Sequence, residues 1–448
     1  MVEEEDLAAR ITRLVEEVGR DKALLSQRLK DINPLDLAQV FQDLDDDIRD
    51  IVFEALEPAA AALLLDETDP ATRERIIQES TPEELSQLVE VMPPDEGADL
   101  VDLLPEQKEK AVLEALEPPK ATEIQELLEY DPETAGGLMT SKFAVLKQDM
   151  TVGQAIESTQ GQVEAEDIYH LYVVDDAGVL KGLVPIRRLI SARRDTPLSD
   201  IMQTEVISVL TNVDQEEVAR MADMYNLAAI PVVDDLGRLQ GIVTLDDVID
   251  VIREEASEDV YRMAGTSAQH PTLESPGRRL VFRLPWLLIL VVAGLINSII
   301  LRHFGHTLET ITAVTFFIPV IIAMAGNVSL QSSSIMVRGL ATGEVIYGRF
   351  FKILLGELST GLLIGLACGT FIAFGSLLLH VESAKLSLAV GIALFFSISV
   401  AAVMGTVMPL MFHRLGADPA VASGPFVTTL NDICGLVIYL SVATALLT

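Results

Sequence analysis

"LYVVDDAGVLKGLVPIRRLI", residues 171–190, returns without a gap as "IPVVDDLGRLQGIVTLDDVI", residues 230–249. Each copy holds a run of branched apolar residues, an acidic glycine turn (Asp175 to Gly178, Asp234 to Gly237), a second apolar run and an amphipathic stretch. Branched and aromatic residues bounded by Asp and Gly favour strands, so each copy predicts strand, turn, strand, helix. The match extends upstream, where "MTSKFAVLKQDMTVGQAI" precedes the first copy as "MQTEVISVLTNVDQEEVA" precedes the second. A duplicated α/β unit occupies the middle of the chain, and the two flanks differ from it in kind.

The upstream flank reads as short amphipathic helices punctuated by proline: "INPLDL", "LEPAAAA", "STPEEL", "VMPPDE", "LLPEQK". Proline fits the first turn of a helix, where no backbone donor is needed, and Ser80 to Glu84 is a helix-start signal. "VFEALEP" at 52–58 returns as "VLEALEP" at 112–118, which predicts stacked helical hairpins of roughly 30 residues each. Charge divides the chain sharply. Of 67 acidic and 32 basic residues, 61 and 23 precede Arg278, so residues 1–277 carry -38 and the remainder +3. A surface this negative repels phosphate, which excludes nucleic acid as a partner and favours cations. "MVEEEDLAAR" lacks the apolar core and cleavage site of a signal peptide, so the acidic half is expected in the cytoplasm.

Downstream of the duplication, "LDDVIDVIREEASEDVYRMAG" predicts a connecting helix with carboxylates at spacings of three and four. Either water screens them or cations bridge them. Five apolar segments follow, at about 284–301, 311–337, 350–379, 386–412 and 420–447, each long enough to cross hydrocarbon roughly 30 Å thick. Arg278, Arg279, Arg283, Arg338, Arg349, Lys352 and Arg414 fall on the side of the acidic half, and only Arg302 and Lys385 fall opposite. That bias places the acidic domains inside and the C-terminus outside. Cys368 and Cys434 both lie in apolar runs, so neither a disulfide framework nor a Cys-rich metal site is available.

Polar residues inside the spans mark a path. "FFIPVIIAMAGNVSLQSSSIM" (316–336) carries Pro319, Gly326, Asn327 and Gln331, and is expected to loosen its helix. Glu357 is expected to pair with Lys352 near the cytoplasmic end of the third span. In "VTTLNDICGLVIYL" (427–440), Asn431 and Asp432 sit mid-span. A carboxylate at that depth costs at least about 2.5 kcal/mol. No span carries Arg or Lys in its middle, so Asp432 is either a cation site or a neutral carboxyl bonded to Asn431 or Thr428.

The duplicated unit, residues 138–252, resembles a tandem pair of cystathionine-β-synthase-type (CBS) domains. That resemblance implies an adenosine nucleotide, such as ATP, between the repeats. The second copy keeps Thr244 and Asp247, with Asp246 between them, where the family holds a ribose hydroxyl; the first copy has Pro185 and Arg188 there. Arg187, beside Arg188, is a candidate phosphate contact or a solvated surface residue. Over nearly the whole chain, "DPETAGGLMT", "AGNVSLQS", "RLGADPA" and "NDICGLVIYLSVA", in that order, resemble an MgtE-type magnesium channel or transporter.

The resemblance implies a homodimer in the lipid bilayer of the plasma membrane, with five membrane helices per subunit and Asp432 as the ion site. Gly326, Asn327, Asn431 and Gly435 would line the path. It further implies regulatory Mg2+ at Asp214, Asp247, Asp250, Glu255, Glu258, Asp259 and Asp418. Ala325 and Leu330 depart from the family pattern in the second span, and Asn226 stands where a carboxylate can occur. The expected domains are a helical-repeat domain (1–135), CBS domains at 138–200 and 201–252, a connecting plug helix (253–280) and a five-helix membrane domain (281–448). The rival readings are a transporter of another divalent ion such as Co2+ or Mn2+, and a membrane-anchored nucleotide or Mg2+ sensor that conducts nothing. No P-loop, nucleophile elbow or histidine cluster supports an enzyme.

Overall fold

The computed structural model describes residues 2–19, 21–160, 170–266, 276–345, 350–378 and 383–447. It forms two compact units, Met1–Ile252 and Arg253–Thr448. The first unit begins with helices α1 (Val2–Val18), α2 (Lys22–Leu29), α3 (Pro34–Phe41), α4 (Asp46–Ala55) and α5 (Pro58–Glu67). These continue as α6 (Pro70–Glu79), α7 (Pro82–Val91), α8 (Pro94–Asp102), α9 (Glu106–Ala115) and α10 (Pro118–Leu127). Proline opens six of them, as its fixed φ allows, and Thr81 adds a reciprocal capping box with Glu84.

Helix starts at Pro34, Pro58, Pro82 and Glu106 recur every 24 residues, as do those at Asp46, Pro70, Pro94 and Pro118. The repeat is therefore a 24-residue hairpin, shorter than the roughly 30 expected. The two "ALEP" motifs close α4 and α9, five helices apart, and mark a helix end rather than a repeat boundary. α3 packs on α5, α5 on α7 and α7 on α9, burying Leu37, Phe41, Leu64, Leu65, Leu85 and Val89. Later helices close the ends of earlier ones: Lys108 donates to the carbonyls of Ile77, Gln78 and Ser80 at 2.8–3.0 Å, and Lys120 to that of Met92 at 2.6 Å. A cation at a helix C-terminus satisfies orphan carbonyls and opposes the dipole.

The duplicated region then folds as α11 (Ala135–Leu138), β1 (Val145–Lys147), α12 (Val152–Gln160), β2 (His170–Val174), β3 (Leu180–Pro185) and α13 (Ile186–Ser191). The second copy is β4 (Val209–Leu210), α14 (Gln215–Tyr225), β5 (Ala229–Val233), β6 (Leu239–Thr244) and the start of α15 (Leu245–Met263). Both sheets have three strands in sequence order, the first pair parallel and the second antiparallel, with a bulge at Val173/Val174 and again at Val232/Val233.

The lead-in of each copy bonds to the other copy's sheet. Thr140 exchanges backbone bonds with Ile242 of β6, and Gln203 with Leu183 of β3. Gly182 and Gly241 permit the crossing, since a Cβ there would lie 2.7 Å from Gln203 O and 2.8 Å from Thr140 O. The two repeats are thus interlocked rather than consecutive.

In the second unit, the five membrane-length helices are α16 (Pro276–His303), α18 (Ile318–Ala341), α19 (Phe350–Leu378), α20 (Ala384–Arg414) and α22 (Val427–Leu447). The short helices α17 (Gly305–Thr310) and α21 (Pro419–Val421) sit between them. α20 is central: 67% of its apolar window is buried within the chain, against 6% for α16. Gly361, Gly365 and Gly369 form one stripe on α19 and lie directly on Ala402, Phe395 and Gly391 of α20. Small residues at this spacing let helices pack without a water-driven hydrophobic effect.

Pro319 does not loosen the second span. It stands in the first turn of α18, which runs unbroken through Gly326 and Asn327, because proline at a helix start costs no hydrogen bond. The break lies instead ahead of α22, where Gly424 leaves helical geometry (φ -83, ψ -122) just before Pro425.

Candidate functional site

α22 carries the intramembrane polar pair. Asn431 is 1% exposed, and its amide donates to Ser329 Oγ of α18 and to Val427 O at 3.0 Å. Asn431 therefore ties two membrane helices together. Gly435, one turn later, is buried against Ala325 and Ile321, where a Cβ would lie 3.6 and 3.8 Å away. Within one chain, both residues expected along the path serve packing, and the departure at Ala325 fills the space beside Gly435.

Asp432 projects from the adjoining face and is half-buried. Among the described residues no side chain is bonded to it, since Asn431 is spent on Ser329 and Val427, and the Thr428 hydroxyl donates to Gly424 O at 3.1 Å. Thr428 shares the Asp432 face one turn earlier and lies against Gly326, whose Cβ would be 3.7 Å from it. Asn327 and Leu330 are exposed on α18 beside this contact. Asp432, Gly326 and Asn327 thus border one edge of the α18–α22 pair. Glu357 behaves differently from expectation: Ser332 Oγ donates to it at 2.8 Å, and no ion pair with Lys352 occurs among the described residues.

The acidic residues of the first unit converge from elements far apart in sequence. Asp247, at the start of α15, accepts from Thr244 N at 3.2 Å and from the Thr244 hydroxyl. Burial, then the charges of Asp95 and Asp246, push its carboxyl up to about 7, against the pull of Thr244. Asp99 of α8 is also pushed up to about 7, first by the protein around it and then by Asp95, Asp66 and Asp247. Asp99 is exposed, so water screens those charges and the half-buried Asp247 is the firmer case. Asp66 at the end of α5 is raised by burial and by Asp250, with Arg73 opposing.

Asp66, Asp95 and Asp99 belong to this cluster and were not among the expected ligands. Nothing in their spacing relates them to Asp247, because only the stacking of α5 and α8 brings them to α15. Asp214 lies elsewhere, exposed, as the N-cap of α14, accepting from Glu216 N at 2.9 Å. Asn226 ends that helix with φ 51, a left-handed cap that Asn tolerates better than most residues.

Among the described residues no three His, Cys, Asp or Glu side chains lie close enough to hold a bare metal ion. Mg2+ retains much of its water and needs few direct protein ligands, so separated carboxylates suit a hydrated ion. Of the candidate nucleotide residues, Thr244 is 6% exposed and its hydroxyl is committed to Asp246 and Asp247. Arg187 is exposed on α13.

In the second unit, Glu255, Glu258 and Asp259 sit on the last turns of α15, and Asp418 lies in the loop before α21. Burial, then the charges of Asp418 and Glu255, push Asp259 up to about 6, with Arg262 and Arg338 opposing. Glu258 and Asp418 both pair with Arg262, a partner not foreseen for residues expected to bind Mg2+. The Glu258 spacing to Arg262, four residues along a helix, was legible; the reach to Asp418 was not.

Three family profiles match in order: the MgtE intracellular N domain at residues 32–133, CBS domains at 135–195 and 198–254, and the MgtE divalent cation transporter at 318–442. The chain is 39% identical over 324 residues to a magnesium transporter MgtE of Thermus thermophilus, covering 72% of each. It is 37% identical over 321 residues to that of Bacillus subtilis, covering 71% of each. Among solved structures, the soluble part of a magnesium transporter matches 56% of this chain and 99% of its own, at 32% identity and a TM-score of 0.51. The cytosolic domain of the Mg2+ channel MgtE in complex with ATP matches 55% and 99%, at 34% identity and a TM-score of 0.51.

Proposed function

The chain belongs to the MgtE family of divalent cation transporters, and on that premise we propose that it conducts Mg2+ across the plasma membrane as a homodimer gated by cytosolic Mg2+. The observation that carries this reading is Asp432, an intramembrane carboxylate with no bonded side chain among the described residues, on a helix fixed by Asn431 and Ser329. Its counter-charge comes from outside the chain, and a cation supplies it. One carboxylate is thin for a divalent ion. A two-fold axis beside the Asp432, Gly326 and Asn327 edge doubles it, and retained water completes the octahedron that Mg2+ prefers.

Gating follows from the two acidic groups. When Mg2+ is scarce, Asp66, Asp95, Asp99, Asp247 and Asp250 repel, as do Glu255, Asp259 and Asp418. Hydrated Mg2+ relieves that repulsion and favours the compact arrangement, which holds the connecting helix at the pore. Several weak sites acting together give a steep response. The positive-inside bias orients the acidic domains to the cytoplasm and the C-terminus outward. The CBS pair is the place for a nucleotide, with Thr244 and Asp247, and Asp246 between them, toward ribose and Arg187 toward phosphate; its role is regulatory, and the chain performs transport rather than catalysis.

The test is Mg2+ flux into proteoliposomes by the parent and Asp432→Ala, at low and high Mg2+ on the cytoplasmic face. The parent should conduct at low Mg2+ and shut at high, and Asp432→Ala should lose at least about tenfold, the equivalent of one lost charged contact. Equal flux in the two proteins would make Asp432 a structural carboxyl and return the membrane helices to the role of an anchor.

A further inference from the structure

Arg262, in the last turn of α15, reaches two carboxylates at once. One guanidinium nitrogen pairs with Glu258 one turn back, and the other with Asp418 ahead of α21. Both oxygens of Asp418 are then engaged, since Oδ1 accepts from Ala420 N at 2.7 Å as the cap of α21. The three side chains are 31%, 25% and 25% exposed, so their attraction is less screened than that of open surface pairs. Glu255 and Asp259 stand close by, and Arg338 acts on Asp259 from α18.

The turn beyond Arg262 is seated directly on the break ahead of α22. Met263 O lies 2.5 Å from where a Gly424 Cβ would be, and Pro425 lies 2.8 Å from where a Gly265 Cβ would be. The Arg262 fork therefore fastens α15 to the segment that leads into the helix bearing Asp432.

We propose that Arg262 is a built-in cation, occupying the position between Glu258 and Asp418 that a divalent ion would take, so that Mg2+ reaches this pair only by displacing the guanidinium. The inference deepens the gating reading above and rests on its assignment of Glu258 and Asp418 as regulatory ligands. Arg262 is a positioning residue. It keeps α15 docked without metal and raises the Mg2+ concentration at which the ion takes over.

The chain's one tryptophan, Trp286, provides a local readout, because its Cβ lies 3.7 Å from where a Gly265 Cβ would be. Mn2+, a paramagnetic stand-in with the same oxygen preference, quenches a nearby indole. The full chain in nanodiscs would be titrated with Mn2+ while Trp286 fluorescence is followed, for the parent, Arg262→Met, Arg262→Lys and the double variant Arg262→Met with Asp418→Asn. Arg262→Met should move the midpoint at least about fivefold lower. Arg262→Lys, a point charge without the fork, should fall between parent and Arg262→Met, and the double variant should cancel the gain.

An unchanged or higher midpoint in Arg262→Met overturns the proposal, as does a parent whose Trp286 never responds to Mn2+. The readout involves no flux. A parent that fails to transport Mg2+ while showing these shifts would sink the transport reading and leave this one standing.

Discussion

Two regions, the acidic cluster of the first unit and helix α22 of the second, treat negative charge in opposite ways. In the first, burial and then the charges of neighbouring carboxylates push Asp247 up to about 7. In the second, α22 presents a single carboxylate in an apolar bundle, with no competing charge on its helix. On the proposed reading, crowding makes the first cluster sensitive, because any counter-ion relieves several repulsions together. On the proposed reading, isolation makes Asp432 selective for what can bring its own charge and its own water.

The largest effect that would break this contrast comes from neutralising Asp247, Asp250 and Glu255 together. Flux through that variant should persist at Mg2+ concentrations that silence the parent, with the inhibitory midpoint raised at least about tenfold. Unchanged inhibition in the same proteoliposome assay would mean that water alone screens the acidic face.

A smaller effect sharpens the account of crowding. A carboxyl raised from 3.8 to about 7 keeps its proton in the folded state while the unfolded chain has lost it, so stability is highest below the unfolded value and falls as pH rises toward 7. The metal-free first unit should therefore melt roughly 5 °C lower at about pH 8 than at about pH 5.5, given about 2–4 °C per kcal/mol for a chain of this size. Millimolar Mg2+ should restore most of the loss at the higher pH and little at the lower. Asp247→Asn should lessen the pH slope, and Asp247→Asn with Asp99→Asn should remove most of it; a slope that survives both locates the titration elsewhere. The carboxyls with lowered values, Asp46, Glu84, Asp175 and Asp234, titrate below this window and do not confuse it.

The smallest effect concerns Glu357, the other acid on a long apolar helix. Its partner is Ser332, so Glu357→Gln keeps an acceptor for the same hydroxyl and should change flux less than about twofold. A loss comparable to that of Asp432→Ala would make Glu357 a second ion ligand and end the isolation of Asp432.

Hydropathy alone located all five spans, and the absence of Arg and Lys from their middles singled out Asp432, because a membrane tolerates few compositions. The first unit was less legible. Helix starts were visible at the prolines, yet the 24-residue period was hidden by a motif that marks helix ends. Asp66, Asp95 and Asp99 carried no signal, since only stacking brings them to Asp247. Pro319 and Gly424 show the same limit at one position each: a breaker residue announces that a helix stops, and its neighbours decide whether the stop is a start or a kink.

The interlocked repeats have a consequence for ancestry. Thr140 completes the sheet of the second repeat, and Gln203 that of the first. A lone repeat would leave its own β3 or β6 edge unsatisfied and its lead-in unpaired. Before the duplication, a single-repeat chain would have had to exchange lead-ins with a second copy of itself. In one polypeptide that exchange is intramolecular, so the two repeats are expected to fold and unfold as one cooperative unit.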